Sequence, residues 1–541
     1  MVDDSDDADY VIVGAGSAGC VLAARLSEDP AVSVLLLEAG GVDDADEIRI
    51  PLAFSTLFKS RWDWNYHTTP QRQLNGREAY WPRMKALGGC SSLNAMIYIR
   101  GNPVDYDAWR DVHGAVGWAY ADVLPYFIRS EGNSRLAGSF HGRGGPLLVE
   151  DCRHEHELTR AWIDAAVAWG MAGIDDFNGS DQQGVGRYQL TCRRGRRWSV
   201  ADAFLRPALS RPNLTVRTGA HATGIVLQGS RAVAVRYRQA GDTRTARAGR
   251  EVLLAAGAVN SPQLLMLSGI GLADHLRDNG IQVIADLPVG QNLQDHPAVP
   301  LLWDTRGTTD LSDYFTPARM AQWKLFGRGP LTSNVAEGGG FFASREGLAG
   351  PDIQVHMAPG GFIDNGLREP TTRRYTAAAT LVSVGSRGTI RLASADPLWR
   401  PKIDACYLDD PADLAALLAG CRVLLEIGDQ PSIGRFRRGS ALPAAGSAST
   451  DVELIGHIRA HAQTLYHPVG TCAMGTGDTA VVDPALRVLG IDGLRVVDAS
   501  VMPTIPRGNT NAPTVMIAEK AADLIRGIQP PSPSLSAATS A

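Results

Sequence analysis

Tyr10-Val-Ile-Val-Gly14-Ala-Gly16-Ser-Ala-Gly19-Cys20 decides the fold of this chain. Tyr10 to Val13 is a short apolar run of the kind a parallel sheet buries on both faces. It leads directly into Gly14-x-Gly16-x-x-Gly19, and an apolar helical pattern follows (Val21, Leu22, Ala23, Leu26) that stops near Asp29-Pro30. A second buried run, Val34 to Leu37, ends in Glu38-Ala39-Gly40. Strand, glycine turn, helix and strand form a βαβ unit with the dinucleotide fingerprint in its working context. Gly14 permits the tight turn. Gly16, with Ser17 and Ala18 beside it, lets backbone N–H groups reach a pyrophosphate, and Gly19 lets helix and strand pack closely. Glu38 stands about 20 residues beyond the last glycine, where a carboxylate accepts from a ribose 2′-OH. The same charge repels a 2′-phosphate, so the expected cofactor has a free 2′-OH (FAD or NAD, not NADP).

At 541 residues the chain exceeds one ordinary core, and two or more domains are expected. Glycine, at 58 residues, exceeds the usual share of about 7% and fits repeated close approaches of backbone to a ligand. A net charge of −5 and a pI near 6.2 argue against a nucleic-acid footprint. The densest basic cluster, Arg193-Arg194-Gly195-Arg196-Arg197, reads as a solvated loop. No apolar run approaches the roughly 18 residues of a membrane span, which leaves only peripheral membrane contact open. The acidic start, Asp3-Asp4-Ser5-Asp6-Asp7, lacks the features of a secretory signal. Seven scattered cysteines without CxxC spacing read as reduced thiols of a cytoplasmic protein, not as a disulfide framework or a metal site.

The fold expected is α/β, α+β overall: a Rossmann-like nucleotide domain with a mostly antiparallel-sheet substrate domain. The first comprises residues 1–155, 205–300 and 463–529, the second residues 156–204 and 301–462. The low-complexity tail, 530–541, is expected to be disordered. Several segments carry this division. Glu251 to Ala258 reads as a buried strand ending in glycine, and Ser261-Pro262 opens a helix with proline in its first turn. Tyr375 to Val384 and Gly388 to Leu392 read as antiparallel strands, with Gly338-Gly339-Gly340-Phe341-Phe342 lying between loops. Leu494 to Ala499 returns to the nucleotide domain, and an amphipathic helix from Ala512 to Ile525 closes it.

Two polar groups stand out in the last third. His467, in Tyr466-His467-Pro468, sits on a proline- and glycine-bounded loop and has a reference pKa suited to proton transfer; a satisfied structural histidine is the alternative. Asn511 precedes a helix, so it reads either as an N-cap or as an amide that binds a substrate oxygen.

Four separated motifs together resemble the glucose–methanol–choline oxidoreductases, a family that binds FAD. They are the glycine fingerprint with Glu38, Lys85-x-Leu87-Gly88-Gly89-x-Ser91-Ser92-x-Asn94, Gly257-Ala258-x-Asn260-Ser261-Pro262 through Gly271, and Tyr466-His467-Pro468 with Asp498-Ala499 and Asn509-Thr-Asn511. The resemblance runs from Tyr10 to Ile525 and is strongest to the choline dehydrogenase and alkanol dehydrogenase branch. It implies oxidation of a primary alcohol, aliphatic or aryl and choline-like at the limit, by an FAD dehydrogenase or oxidase. By that resemblance His467 would take the alcohol proton and Asn511 would assist it. By the same analogy Gly88, Gly89, Ser92, Asn94 and Ala95 would lie along the flavin, with Met96 at its edge. The analogy also implies an adenine-side contact from the Ala222 backbone and pyrophosphate–ribityl and ring-side contacts from Asp498, Ala499 and Thr514, with Ala39 beside Glu38. Leu93 stands where some relatives carry a histidine bonded to FAD, so FAD is expected to be non-covalent. Met84 departs from the glycine common before the lysine. The substrate wall is expected from Trp62, Tyr466, Phe362 and the loops of residues 334–342 and 356–362. Glu337 reads as a structural hydrogen-bonder more than as a partner for a cationic substrate. A lyase on the same scaffold, acting on fatty acids in light or on hydroxynitriles, is the alternative activity. The electron acceptor (oxygen, a quinone or another carrier) and the oligomeric state are not legible in the sequence.

Overall fold

The computed structural model describes residues 6–368 and 371–531. The expected disordered tail falls outside this range from residue 532 onward. Two seven-stranded sheets organise the chain. In the first, Leu214–Arg217, Val34–Leu37, Ala8–Val13 and Asp242–Leu254 lie side by side, followed by Arg231–Gln239 and His221–Gln228. The inner strands are parallel, with Val11 opposite both Leu35 and Val252. Their apolar runs are buried on both faces, as crossover helices require. The long Asp242–Leu254 strand serves two neighbours. Its first half pairs antiparallel with Arg231–Gln239, and its second half pairs parallel with Ala8–Val13. Leu494–Val496 adds to that second half, Val252 opposite Leu494. The C-terminal third therefore returns to the first sheet, and the helix Asn511–Arg526 packs on Ser17–Leu26, where Arg25 pairs with buried Glu519 at 2.7 Å.

The second sheet runs Arg437–Leu442, Pro297–Thr305, Arg374–Leu381, Ile353–Ala358, Gly338–Phe342, Gly184–Arg187, every pair antiparallel. Its strands cross two of the expected domain boundaries: Pro297–Thr305 starts before residue 301, and Gln463–Thr464 pairs with it. The glycine triplet at residues 338–340 lies between loops, as expected, and is a strand of this sheet. Glycine is required there by crowding, since a Cβ on Gly339 would lie 1.8 Å from the Val355 carbonyl oxygen. The helix expected to open at Ser261 starts earlier, at Gly257, and places Pro262 inside it. Pro262 has no N–H to give the Ala258 carbonyl. The Thr471 hydroxyl donates to that carbonyl instead, at 2.7 Å, which makes the interior proline tolerable.

Candidate active site

A cleft of about 600 Å³ runs between the two sheets, from the glycine fingerprint to the His467 loop. At one end the fingerprint turn is built as its spacing requires. Gly14 has φ +98°, and a Cβ there would meet the Ala255 carbonyl oxygen at 2.6 Å. A Cβ on Gly19 would come within 1.9 Å of the Gly14 oxygen, so Gly19 serves helix–strand packing and does not face the cleft. Glu38 lines the cleft, its carboxylate accepting from Ala15 N at 2.9 Å and Gly40 N at 2.7 Å. Burial raises its pKa to about 6 against those two hydrogen bonds.

A second glycine turn abuts the first. Gly88 N donates to Ala15 O at 2.8 Å, and a Cβ on Gly89 would lie 2.6 Å from Gly16 Cα. Gly89, Asn94, Ala95 and Met96 face the cleft. Gly88 and Ser92 do not: the Ser92 hydroxyl turns inward, 2.9 Å from Leu87 O and 3.1 Å from Asp43 Oδ2, and so holds the turn instead of a ligand. Arg197 was missed by the reading of its cluster as a solvated loop. It is 1% exposed and donates to Ile48 O, Ser91 O, Asn94 O and Asn94 Oδ1 at 2.6–3.2 Å. Burial lowers its pKa to about 10, the cost of a cation spent on fixing the cleft wall. Ser17, Ala18, Ala39, Ala222, Asp498, Ala499 and Thr514 all line the cleft. Asp498 ties strand ends together there, accepting from the Ser261 hydroxyl, Gly257 N and Ser500 N.

The other end is apolar. Phe54 stacks on Phe362 at 6.2 Å between centroids, Phe58 meets Tyr466 at 5.7 Å, and Leu93, Val335, Pro300, Ala358 and Leu465 complete the wall. Tyr466 is held at φ +70° with its hydroxyl on Asn365 Oδ1 at 2.7 Å. Trp62 lies outside this wall. Its indole packs under the Arg61 guanidinium at 4.3 Å, and Trp64, two residues on, faces the cleft instead. Glu337 is also away from it, its carboxylate taken up by His156 N and the Thr159 and Ser333 hydroxyls.

His467 lies on this wall, half-buried, and desolvation with its neighbours His296, His356 and Arg83 holds it well below the ordinary imidazole pKa. Its backbone N–H donates to Asp295 Oδ1 at 2.8 Å. Its Nε2 is met by Asn509 Nδ2 at 3.4 Å, and its Nδ1 by His296 Nδ1 at 3.0 Å. Asn511 is not the residue beside it. As the first residue of the closing helix, Asn511 turns toward the fingerprint and accepts from the Ser17 hydroxyl at 2.7 Å. Asn509 stands two residues earlier on the loop, outside the helix, where its amide reaches the imidazole. Among the described residues, no cluster of three or more His, Cys, Asp or Glu is arranged to hold a metal ion.

A fingerprint cleft joined to a half-buried histidine of lowered pKa is an arrangement suited to a nucleotide-dependent oxidoreductase. The GMC oxidoreductase N-terminal profile matches residues 8–298 and the C-terminal profile residues 384–518. The chain is 44% identical over 528 residues to alcohol dehydrogenase [acceptor] of Pseudomonas putida, covering 96% of this chain and 95% of that protein. It is 44% identical over 540 residues to the mitochondrial choline dehydrogenase of Homo sapiens, covering 96% and 90%. Pyridoxine 4-oxidase from Mesorbium loti superposes with a TM-score of 0.88 at 32% identity, covering 96% of this chain and all of that one. The chain belongs to the GMC oxidoreductase family, and it is an FAD-dependent oxidoreductase.

Proposed function

We propose that this enzyme oxidises uncharged primary alcohols, aliphatic or aryl, to aldehydes, with His467 as the proton acceptor and Asn509 as its amide partner. The observation that carries the reading is the meeting of His467 Nε2 with Asn509 Nδ2 at 3.4 Å on the wall of the apolar end. Gly14, Gly16, Ser17, Ala18, Glu38, Ala39, Gly89, 94–96, Ala222, Asp498, Ala499 and Thr514 suit FAD: glycine lets the two turns abut, and the space over Gly16 is open to the cleft. FAD, when bound, supplies the acceptor for the hydride of the carbinol carbon.

The protein's part is the proton. Neutral His467 offers a lone pair at Nε2 and takes the hydroxyl proton, which raises electron density on the carbinol carbon. Asn509 Nδ2 donates to the same oxygen as it gains charge. The surrounding phenyl and alkyl groups exclude water, so both interactions act at low dielectric.

Charge narrows the substrate. The carboxylates lining the cleft are Glu38, Asp63 and Asp498. Glu38 and Asp498 belong to the cofactor end, and Asp63 is saturated by Tyr80, Lys59 N, Asn65 N and Arg83 N. Among the described residues no further carboxylate lines the cleft to meet a quaternary ammonium, which favours an uncharged alcohol over choline. Anaerobic mixing of the holoenzyme with alcohols in the dark tests this. Flavin bleaching by uncharged primary alcohols is expected, with choline slower; failure of every alcohol to bleach it contradicts the reading.

FAD is held without a covalent bond, since leucine at position 93 offers no nucleophile. Acid or heat denaturation is therefore expected to release all the yellow colour into the filtrate, and colour retained on the polypeptide contradicts this.

Glu38 gives FAD binding a pH dependence. Its pKa in the fold is raised to about 6 by burial. Above that pH its carboxylate accepts from the backbone and the ribose; below it the neutral acid loses acceptor capacity. Affinity for FAD is expected to weaken as pH falls through 6 in a fluorescence titration, and Glu38→Gln is expected to bind weakly with no such slope. A flat wild-type profile would contradict the role.

A further inference from the structure

Behind His467 stands His296, and the two Nδ1 atoms are 3.0 Å apart. The rings cross at 88° with centroids 5.2 Å apart, and His296 has no exposed surface. Two neutral imidazoles share such a contact only if one nitrogen carries the hydrogen and the other offers its lone pair. Neighbours decide which. On the cleft side, Asn509 Oδ1 accepts from Gln354 Nε2 at 3.2 Å, which turns the Asn509 amide N–H toward His467 Nε2. A donor facing Nε2 requires a lone pair there. On the far side, His296 Nε2 is buried and makes no hydrogen bond among the described residues. With the lone pair of His467 on Nε2 its hydrogen sits on Nδ1, so the neutral His296 presents Nδ1 as an acceptor and carries its own hydrogen on Nε2. The cleft side thus gives one arrangement: His467 Nδ1–H donates to His296 Nδ1.

We infer that His296 is a positioning residue that locks His467 in the Nδ1–H tautomer and so keeps the Nε2 lone pair directed at the alcohol. The inference rests on the reading of His467 as the proton acceptor. The hydrogen bond made by one ring nitrogen sets where the other nitrogen stands. Without His296, the hydrogen can move to Nε2, and that tautomer cannot take a hydroxyl proton. In the proton step the substrate O–H breaks, an N–H forms at His467 Nε2, and the Nδ1 hydrogen stays between the rings. His296 gains no charge. Burial keeps its pKa down at about 3, so it remains an acceptor throughout. A carboxylate in this place would fix the same tautomer but add a buried charge; a neutral ring fixes it without one. The neighbouring residue completes the support. Asp295 holds the His467 backbone while accepting the Thr464 and Tyr407 hydroxyls. His356 and Arg83 are the other titratable groups facing His467.

The test uses two substitutions of nearly equal shape. In His296→Asn, the side-chain oxygen takes the place of Nδ1 and preserves the acceptor; in His296→Leu a methyl replaces it. Nitrogen NMR of the histidine-labelled protein reads the tautomer directly, with the His467 signals assigned by their loss in His467→Gln. Hydrogen on Nδ1 is expected in the wild type and in His296→Asn, and its transfer or loss in His296→Leu. Flavin reduction by an alcohol is expected to fall by about tenfold or more in His296→Leu, with FAD bound and KM little changed, because a mis-set histidine tautomer is costly. His296→Asn is expected to restore most of that rate. A wild-type His467 with its hydrogen on Nε2 overturns the inference without recourse to any variant, as does a His296→Leu enzyme with wild-type rate and tautomer. Full activity in His467→Ala would instead reject the reading on which it rests.

Discussion

His467→Ala is expected to slow reduction of the bound flavin by an alcohol by about 10²–10⁴-fold, the range lost with a positioned general base. FAD should remain bound, because its proposed holders are the two glycine turns, Glu38 and the Asp498 strand end, none of which uses the imidazole. KM should change little, since the apolar wall is formed by Phe54, Phe58, Phe362 and Tyr466. The loss should appear in single-turnover flavin bleaching, before any electron acceptor is involved. A variant that bleaches at the wild-type rate would remove His467 from the reaction.

Asn509 and Asn511 should separate cleanly. Asn509→Ala removes the amide beside His467 Nε2. Its rate of flavin reduction is expected to drop by about 10²-fold, as for loss of one donor to a developing oxyanion. Asn511→Ala removes the acceptor for the Ser17 hydroxyl at the fingerprint end of the cleft and leaves the amide beside His467 in place. It is expected to keep most of the activity and to lose about 1 kcal/mol of stability, the scale of one neutral hydrogen bond. Thermal melting and single-turnover kinetics on the same two proteins check both statements. The reverse pattern, a catalytic loss in Asn511→Ala and none in Asn509→Ala, would return the role to the residue favoured by sequence alone.

That pair marks where sequence reading reaches its limit. The βαβ unit was legible because its determinants are local: glycine spacing, two apolar runs and one acid at the right remove. The loop histidine was legible for the same reason. Asn509 and Asn511 differ by two positions, and the start of the helix falls between them. Both line the cleft, and which of them reaches His467 depends on the angle at which the helix meets the first sheet, which is set by packing on Ser17–Leu26 and not by the loop itself. Trp62 and Trp64 are a similar case, one under Arg61 and the other in the cleft.

Other differences have distant causes. Pro262 is tolerated inside a helix because Thr471 satisfies the Ala258 carbonyl from far along the chain. The run at residues 338–340 is a strand although glycine disfavours strands, because neighbouring backbones leave no room for a side chain. Arg197 looked like one of several solvated arginines, yet its partners are carbonyls of the Ser91–Asn94 turn and Ile48. His296 gave no sequence signal, since its importance lies wholly in a contact between residues 171 positions apart.

A crystal structure of the FAD-loaded enzyme with an unreactive analogue of a straight-chain primary alcohol tests the proposed chemistry most directly. The hydroxyl oxygen is expected within hydrogen-bond reach, about 2.6–3.2 Å, of both His467 Nε2 and Asn509 Nδ2. An oxygen seated away from His467, or bound by Asn511, would contradict the account.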